Sequence, residues 1–253
     1  MALFGMKKDA RSSFPARESE RTLHKNLKFT AAEQYKLLRA NLDFTVPQGE
    51  KCSVLGVTSS IRGEGKSTTA VNLSYVLAEN GKKVLLIDGD LRIPSIAKKM
   101  GIENNSGLTN LLMGQGAQLS EYRSEILPNW YILPSGEIPP NPSELLGSTR
   151  MEAILKEFKE KFDYIVIDLP PVNIVSDALS ISGLITGMVV VIREEYTEKK
   201  ELERCFRQLE LSNVKVLGCV MNESKGEKGS NGKYRKYKYY KYYRYYQSSS
   251  KDK

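Results

Sequence analysis

Apolar positions along the chain fall into two recurring patterns. Short runs that are apolar nearly throughout, at residues 53–58, 83–87, 130–133, 164–167, 187–192 and 214–220, predict buried strands. Between them, apolar residues spaced three and four apart predict helices over 66–79, 150–160 and 197–211, with shorter ones near 94–100, 108–113 and 177–184. One more helix is predicted over 30–44. There Thr30 and Glu33 have the spacing of a capping box, Leu37, Leu38 and Leu42 are apolar at helical spacing, and Pro47-Gln48-Gly49 ends the unit. Apolar strands alternating with helices imply an α/β fold whose parallel sheet is covered by helices on both faces. Ligands of such sheets sit at the carboxyl ends of the strands.

The 253 residues suit one domain with tails. Residues 1–29 are polar and read as a flexible arm, residues 30–223 as the folded domain, and residues 224–253 as a disordered tail rich in Gly, Ser, Lys and Tyr. No stretch has the form of a secretory signal or the length of an apolar span, so a cytoplasmic location is expected. Three scattered cysteines, Cys52, Cys205 and Cys219, lack metal spacing; Cys52 and Cys219 lie in or beside apolar runs and are expected to be buried thiols. The single histidine, His24, has no neighbours that would make it a ligand or a base.

Charge is placed unevenly. The net +8 arises entirely beyond residue 224, which leaves 28 of the 38 basic and 28 of the 30 acidic residues in the rest of the chain. The folded body is neutral, so a nucleic-acid-binding role for the whole protein loses its basis, and no nucleic-acid partner is expected.

The chemistry-bearing motifs lie at strand ends. Gly63-Glu64-Gly65-Lys66-Ser67-Thr68 follows a strand and opens a helix, the context a phosphate-binding P-loop requires. Its backbone amides would face phosphate oxygens, Lys66 would reach the β- and γ-phosphates, and Ser67 would ligate Mg²⁺. Ser60 stands where the usual first glycine would be, and Arg62 precedes the paired glycines. The fold expected is therefore P-loop NTPase-like, and ATP with Mg²⁺ the expected ligands.

Two acidic strand ends complete the set. One run leads into Asp88-Gly89-Asp90-Leu91-Arg92, the other into Asp168-Leu169-Pro170-Pro171. Carboxylates at the end of a buried strand are costly unless paired or on a metal. Asp168 reads as a metal-holding Walker B residue; of Asp88 and Asp90, one can hold Mg²⁺ while the other takes a hydroxyl proton. The plainer alternative is that these carboxylates cap helices or pair with cations.

With these three motifs in order, the chain resembles the bacterial tyrosine kinases of capsule and exopolysaccharide systems. The shared text extends to Ile138-Pro139-Pro140-Asn141-Pro142-Ser143-Glu144-Leu145-Leu146 and Ser176-Asp177-Ala178. The resemblance implies that Asp88 helps deprotonate the acceptor tyrosine and Asp90 lies near the metal. It implies ring-shaped homo-oligomers built through Glu33, Lys36 and Arg39, although Lys36 replaces an Arg of the family motif and loses its planar fork. Asn222, after the last strand, resembles an adenine-reading Asn of related ATPases. The family resemblance also implies a membrane-embedded activator of the polysaccharide co-polymerase type, acting through its cytosolic segment and recruiting the chain to the membrane, and a cognate phosphotyrosine phosphatase.

The tail carries Tyr234, Tyr237, Tyr239, Tyr240, Tyr242, Tyr243, Tyr245 and Tyr246 among Lys and Arg. Without aliphatic company these phenols do not suit a core, but they suit the active site of another subunit as phosphorylation targets. Each phosphate adds about −1.5 to −2 charges, so four or more would bring a +8 tail near neutrality or beyond. Two other functions fit parts of the pattern. A ParA/MinD-like ATPase switch would hydrolyse ATP and use the tail on DNA or membrane, and a nucleotide-binding scaffold would leave Asp88 and Asp90 without a task.

Overall fold

The computed structural model describes residues 26–47, 49–115 and 122–224. His24 and all eight tail tyrosines lie outside the described residues. Six strands, β1 (Ser53–Ser59), β2 (Val84–Asp88), β3 (Trp130–Leu133), β4 (Tyr164–Asp168), β5 (Gly187–Arg193) and β6 (Val216–Asn222), form one sheet in the order β3-β2-β4-β1-β5-β6. All five pairings are parallel. The helices are α1 (Phe29–Thr45), α2 (Lys66–Glu79), α3 (Ile96–Met100), α4 (Leu108–Leu112), α5 (Pro142–Leu146), α6 (Thr149–Lys159), α7 (Asp177–Ser180) and α8 (Lys199–Leu211).

Alternate strand residues feed two separate cores, which is what a sheet covered on both faces requires. Leu85, Ile87, Ile165, Ile167 and Val190 pack with Leu155 and Phe158 of α6 and Leu209 of α8. Leu55, Val57, Leu86, Val166 and Val189 pack with Leu73 and Leu77 of α2 and Leu42 of α1. Trp130 is fully buried in the second core, where its indole N–H donates to Ser74 Oγ at 3.1 Å. A buried indole needs such a partner.

Four local expectations change. The capping box at Thr30 does not form: α1 starts one residue earlier, its N-cap is Lys28 without a side-chain bond, and Glu33 accepts instead from Lys36 Nζ at 3.0 Å. Leu37 faces solvent while Leu42 is buried. The stretch 177–184 breaks into α7 and a 3-10 turn, Ser182–Leu184. The last strand is an edge strand paired with β5 alone, so Cys219 is exposed rather than buried; Cys52 is buried as expected, and Cys205 is buried too. Helix α5, with Pro142 in its first turn, was not anticipated from periodicity, because five residues are too few to display one.

Candidate active site

Strand β1 ends at Ser59 and α2 begins at Lys66, so residues 60–65 make the turn between them. Gly65 has φ +94°, and a Cβ there would lie 1.9 Å from Asn222 Nδ2. Both the left-handed backbone and the close approach demand glycine. Asn222, at the end of β6, donates through that Nδ2 to the Glu64 carbonyl at 3.0 Å. Its side chain thus braces the loop.

Glu64 lies fully buried beneath the loop. Its carboxylate accepts from Ser60 Oγ at 2.9 and 3.0 Å, from the Ile61 amide at 2.8 Å and from Thr197 Oγ1. Ser60 therefore has a task that glycine could not perform: its hydroxyl helps satisfy a buried charge. The loop after β5 closes over the turn from outside. Arg193 Nη1 donates to the Gly63 carbonyl at 3.2 Å, and Tyr196 Oη donates to the Arg62 carbonyl at 3.1 Å. Arg193, Tyr196 and Thr197 escaped the sequence reading; their one signal was a polar Arg-Glu-Glu-Tyr-Thr run at the carboxyl end of a strand.

Lys66 joins the motifs. Its ammonium donates to Asp90 Oδ2 at 2.8 Å and Asp168 Oδ1 at 3.4 Å, and lies 3.4 Å from Ser67 Oγ. Thr68 stands half-buried in the same first turn of α2. Asp88 faces Asp168 across the β2–β4 pairing. Its Oδ2 accepts from the amides of Ser95 at 3.0 Å and Ile96 at 2.9 Å, whereas its Oδ1 is buried without a hydrogen-bond partner. Asp168 Oδ2 is likewise buried and unpartnered. Gly89 lets the acidic turn sit this close: its amide donates to the Asp168 carbonyl at 2.8 Å, and a Cβ there would lie 2.8 Å from Ile167 Cγ2.

Electrostatics follow from this crowding. Burial, and then the charge of Asp168, push the Asp88 carboxyl up to about 7, against the pull of the α3 amides and Lys66. Burial also raises Asp168, with Lys66 and Ser67 opposing. Burial alone would depress the Lys66 ammonium, but Asp168 and Asp90 together outweigh it and hold the group above its ordinary value.

Among the described residues, no set of three or more His, Cys, Asp and Glu groups could by itself hold a metal. The donors nevertheless fit Mg²⁺, which is commonly bound by one or two carboxylates with waters and substrate phosphates. Asp168 offers an orphaned buried oxygen, and the Ser67 hydroxyl bonds the same carboxylate.

Arg92 extends the acidic turn outward. It forks onto Asp177 through Nε at 2.8 Å and Nη2 at 3.0 Å, and reaches Ser143 Oγ at 3.3 Å, while Ser143 donates to Asp177. The shared text around Ser143 and Asp177 thus belongs to one network. Glu33 pairs with Lys36, and Arg39 Nη1 donates to the Val76 carbonyl of α2 at 3.4 Å. These three side chains therefore make contacts within one copy.

A family profile described as an AAA domain matches residues 53–217. Over 194 residues the chain is 39% identical to tyrosine-protein kinase YwqD of Bacillus subtilis, covering 77% of this chain and 81% of that one. The solved structure of the chimerical protein CapA2B2 superposes with a TM-score of 0.74 at 32% identity, over 81% of this chain and 90% of that one. The septum site-determining protein MinD of Pyrococcus horikoshii, solved with Mg-ADP, is more distant. It has a TM-score of 0.56 at 26% identity, over 69% of this chain and 72% of that one.

Proposed function

Since the chain belongs to the bacterial tyrosine-protein kinases, we propose that it is an autokinase that phosphorylates the tail tyrosines, Tyr234 to Tyr246, of another copy. The observation that carries this reading is the junction at Lys66, where the start of α2, Asp90 and Asp168 meet beside a buried, unpartnered oxygen of Asp88. The amides of the Gly63–Gly65 turn and Lys66 hold the β- and γ-phosphates of ATP. Ser67, Asp90 and Asp168 would hold Mg²⁺, which supplies charge neutralisation on the phosphates when bound.

The γ-phosphorus parts from the oxygen that bridges it to ADP and bonds to the phenol oxygen. The phenol proton passes to Asp88 Oδ1. A carboxylate raised towards neutrality by burial suits that task, because a base poised near the working pH transfers protons most effectively. The remaining catalytic contribution is positioning and charge stabilisation. Asn222 supports nucleotide binding through the loop, and its position at the end of β6 is compatible with adenine recognition.

The same reading places the protein in the control of capsule or exopolysaccharide synthesis. It includes recruitment to the membrane by the cytosolic segment of an activator, ring assembly through α1, and a cognate phosphatase. The decisive experiment mixes wild-type chain with a Lys66→Met copy as acceptor, under Mg²⁺ and γ-labelled ATP, with the activator segment present. Label on the tail of the Lys66→Met copy supports transfer between copies. Release of free phosphate with no labelled protein would move the chain to the MinD-like ATPase reading instead.

A further inference from the structure

The Arg92–Asp177–Ser143 network ties together three loops, which follow the carboxyl ends of β2, β3 and β4. These strands are neighbours in the sheet. Each loop exposes one isoleucine: Ile93 is 52% exposed, Ile138 64% and Ile174 48%. Ile93 adjoins Arg92 in the chain, Ile174 stands three residues before Asp177, and Ile138 five before Ser143. The Ile93 amide also donates to Asp90 Oδ1 at 3.0 Å, so the backbone at this residue borders the acidic centre directly. Single exposed apolar residues are ordinary, but here three stand within five residues of the members of one ion-pair network beside the acidic centre.

We infer that these three side chains dock the acceptor, with Ile93, Ile138 and Ile174 packing against phenol rings of residues 234–246 presented by a second copy; the inference rests on the tail-kinase reading. Charge supports that occupant. Glu137, next to Ile138, and Glu144, next to Ser143, are exposed. Arg92, the one cation in the three loops, is committed to Asp177. The tail brings the complement: its segment 233–246 alternates tyrosine with Lys and Arg, and contains no carboxylate. A phenol has the apolar body that isoleucines bury and the polar tip that Asp88 must reach. Basic neighbours would then lie over the carboxylate rim.

The test uses the full chain and a synthetic peptide of residues 233–246 as added acceptor, with peptide and ATP varied separately. An I93S/I138S/I174S variant is expected to raise the peptide KM about tenfold or more, the scale on which apolar pockets discriminate small changes, while the ATP KM stays at the wild-type value. An unchanged peptide KM overturns the inference. So does an equal rise in both constants, which would mean that the isoleucines support the loops rather than meet the acceptor. A change of oligomeric state with the peptide KM unaltered would assign the isoleucines to contacts between folded bodies, again overturning it. If the wild-type chain labels neither its own tail nor the peptide, the tail-kinase reading itself has failed, a result that differs visibly from any of these.

Discussion

The buried carboxylate of Glu64 makes a quantitative prediction possible, because it and Thr197 share one hydrogen bond. Thr197 in turn accepts from the Arg193 amide at 2.8 Å, so the bond couples the phosphate loop to the segment leading into α8. Hydrogen bonds to a charged group contribute about 1.5–3 kcal/mol, against roughly 1 kcal/mol for neutral pairs. Glu64→Gln demotes its bonds with Ser60, Ile61 and Thr197 from charge-assisted to neutral and turns one acceptor into a donor. A loss of about 2–3 kcal/mol is expected. Thr197→Val removes the shared bond and the Arg193 acceptor, for about 2 kcal/mol. Because one bond is counted in both, the double variant should lose less than the sum by about 1 kcal/mol or more. Urea unfolding of the four proteins closes the cycle, and Tm falls of roughly 2–4 °C per kcal/mol are expected for a domain of this size. Effects that add to within about 0.5 kcal/mol would refute the coupling and leave Glu64 held only by its own loop, through Ser60 and the Ile61 amide.

Other consequences follow from the same geometry. Lys66→Met should abolish phosphotyrosine and weaken ATP binding, measured by fluorescent-nucleotide titration, since it removes the cation that Asp90 and Asp168 share. Asp88→Asn should eliminate phosphotyrosine yet keep nucleotide affinity. It should also raise the stability of the nucleotide-free protein in urea by on the order of 1 kcal/mol, because the asparagine carbonyl still satisfies the α3 amides without a buried charge. Gly65→Ala should destabilise the fold and abolish nucleotide binding, and adding Asn222→Ala should not restore it, since φ +94° remains strained after the clash is gone. Chelation of Mg²⁺ should stop labelling, with activity returning on readdition.

Most of the fold was legible because strand and helix periods differ sharply. The apolar runs at β1, β4 and β5, and the glycine-lysine punctuation before α2, located elements to within a residue or two. What was misread depends on neighbours. Burial of β6 is decided by whether another strand or helix lies outside it, which its apolar composition does not encode, so Cys219 was placed inside. Thr30 has the right spacing for a cap, but one extra turn residue at Phe29 moved it into the helix. The site was legible where the chemistry is local, as at Gly65, Lys66, Asp88, Asp90 and Asp168. It was illegible where support comes across the sheet. Glu64 is grouped with the phosphate-contacting residues by position, yet its side chain points inward to a threonine 133 residues away. Likewise Arg92, Ser143 and Asp177 gave no sign in spacing that they form a single cluster.

Three carboxylates and one ammonium share the centre, so the folded chain by itself carries a surplus of negative charge there. Two local devices hold that charge. The α3 amides stabilise one oxygen of Asp88, and Lys66 divides its ammonium between Asp90 and Asp168. Neither device reaches Asp88 Oδ1 or Asp168 Oδ2, which remain buried and unpartnered. An orphaned buried acceptor costs about 1–3 kcal/mol. A buried polar atom without a partner calls for an explanation, and a catalytic role or a bound ion is one. The unsatisfied oxygens support the proposal that Asp88 accepts the proton and Asp168 binds the cation. Lys66 is more than a phosphate ligand in this arrangement, since its ammonium is the counter-ion that joins Asp90 to Asp168.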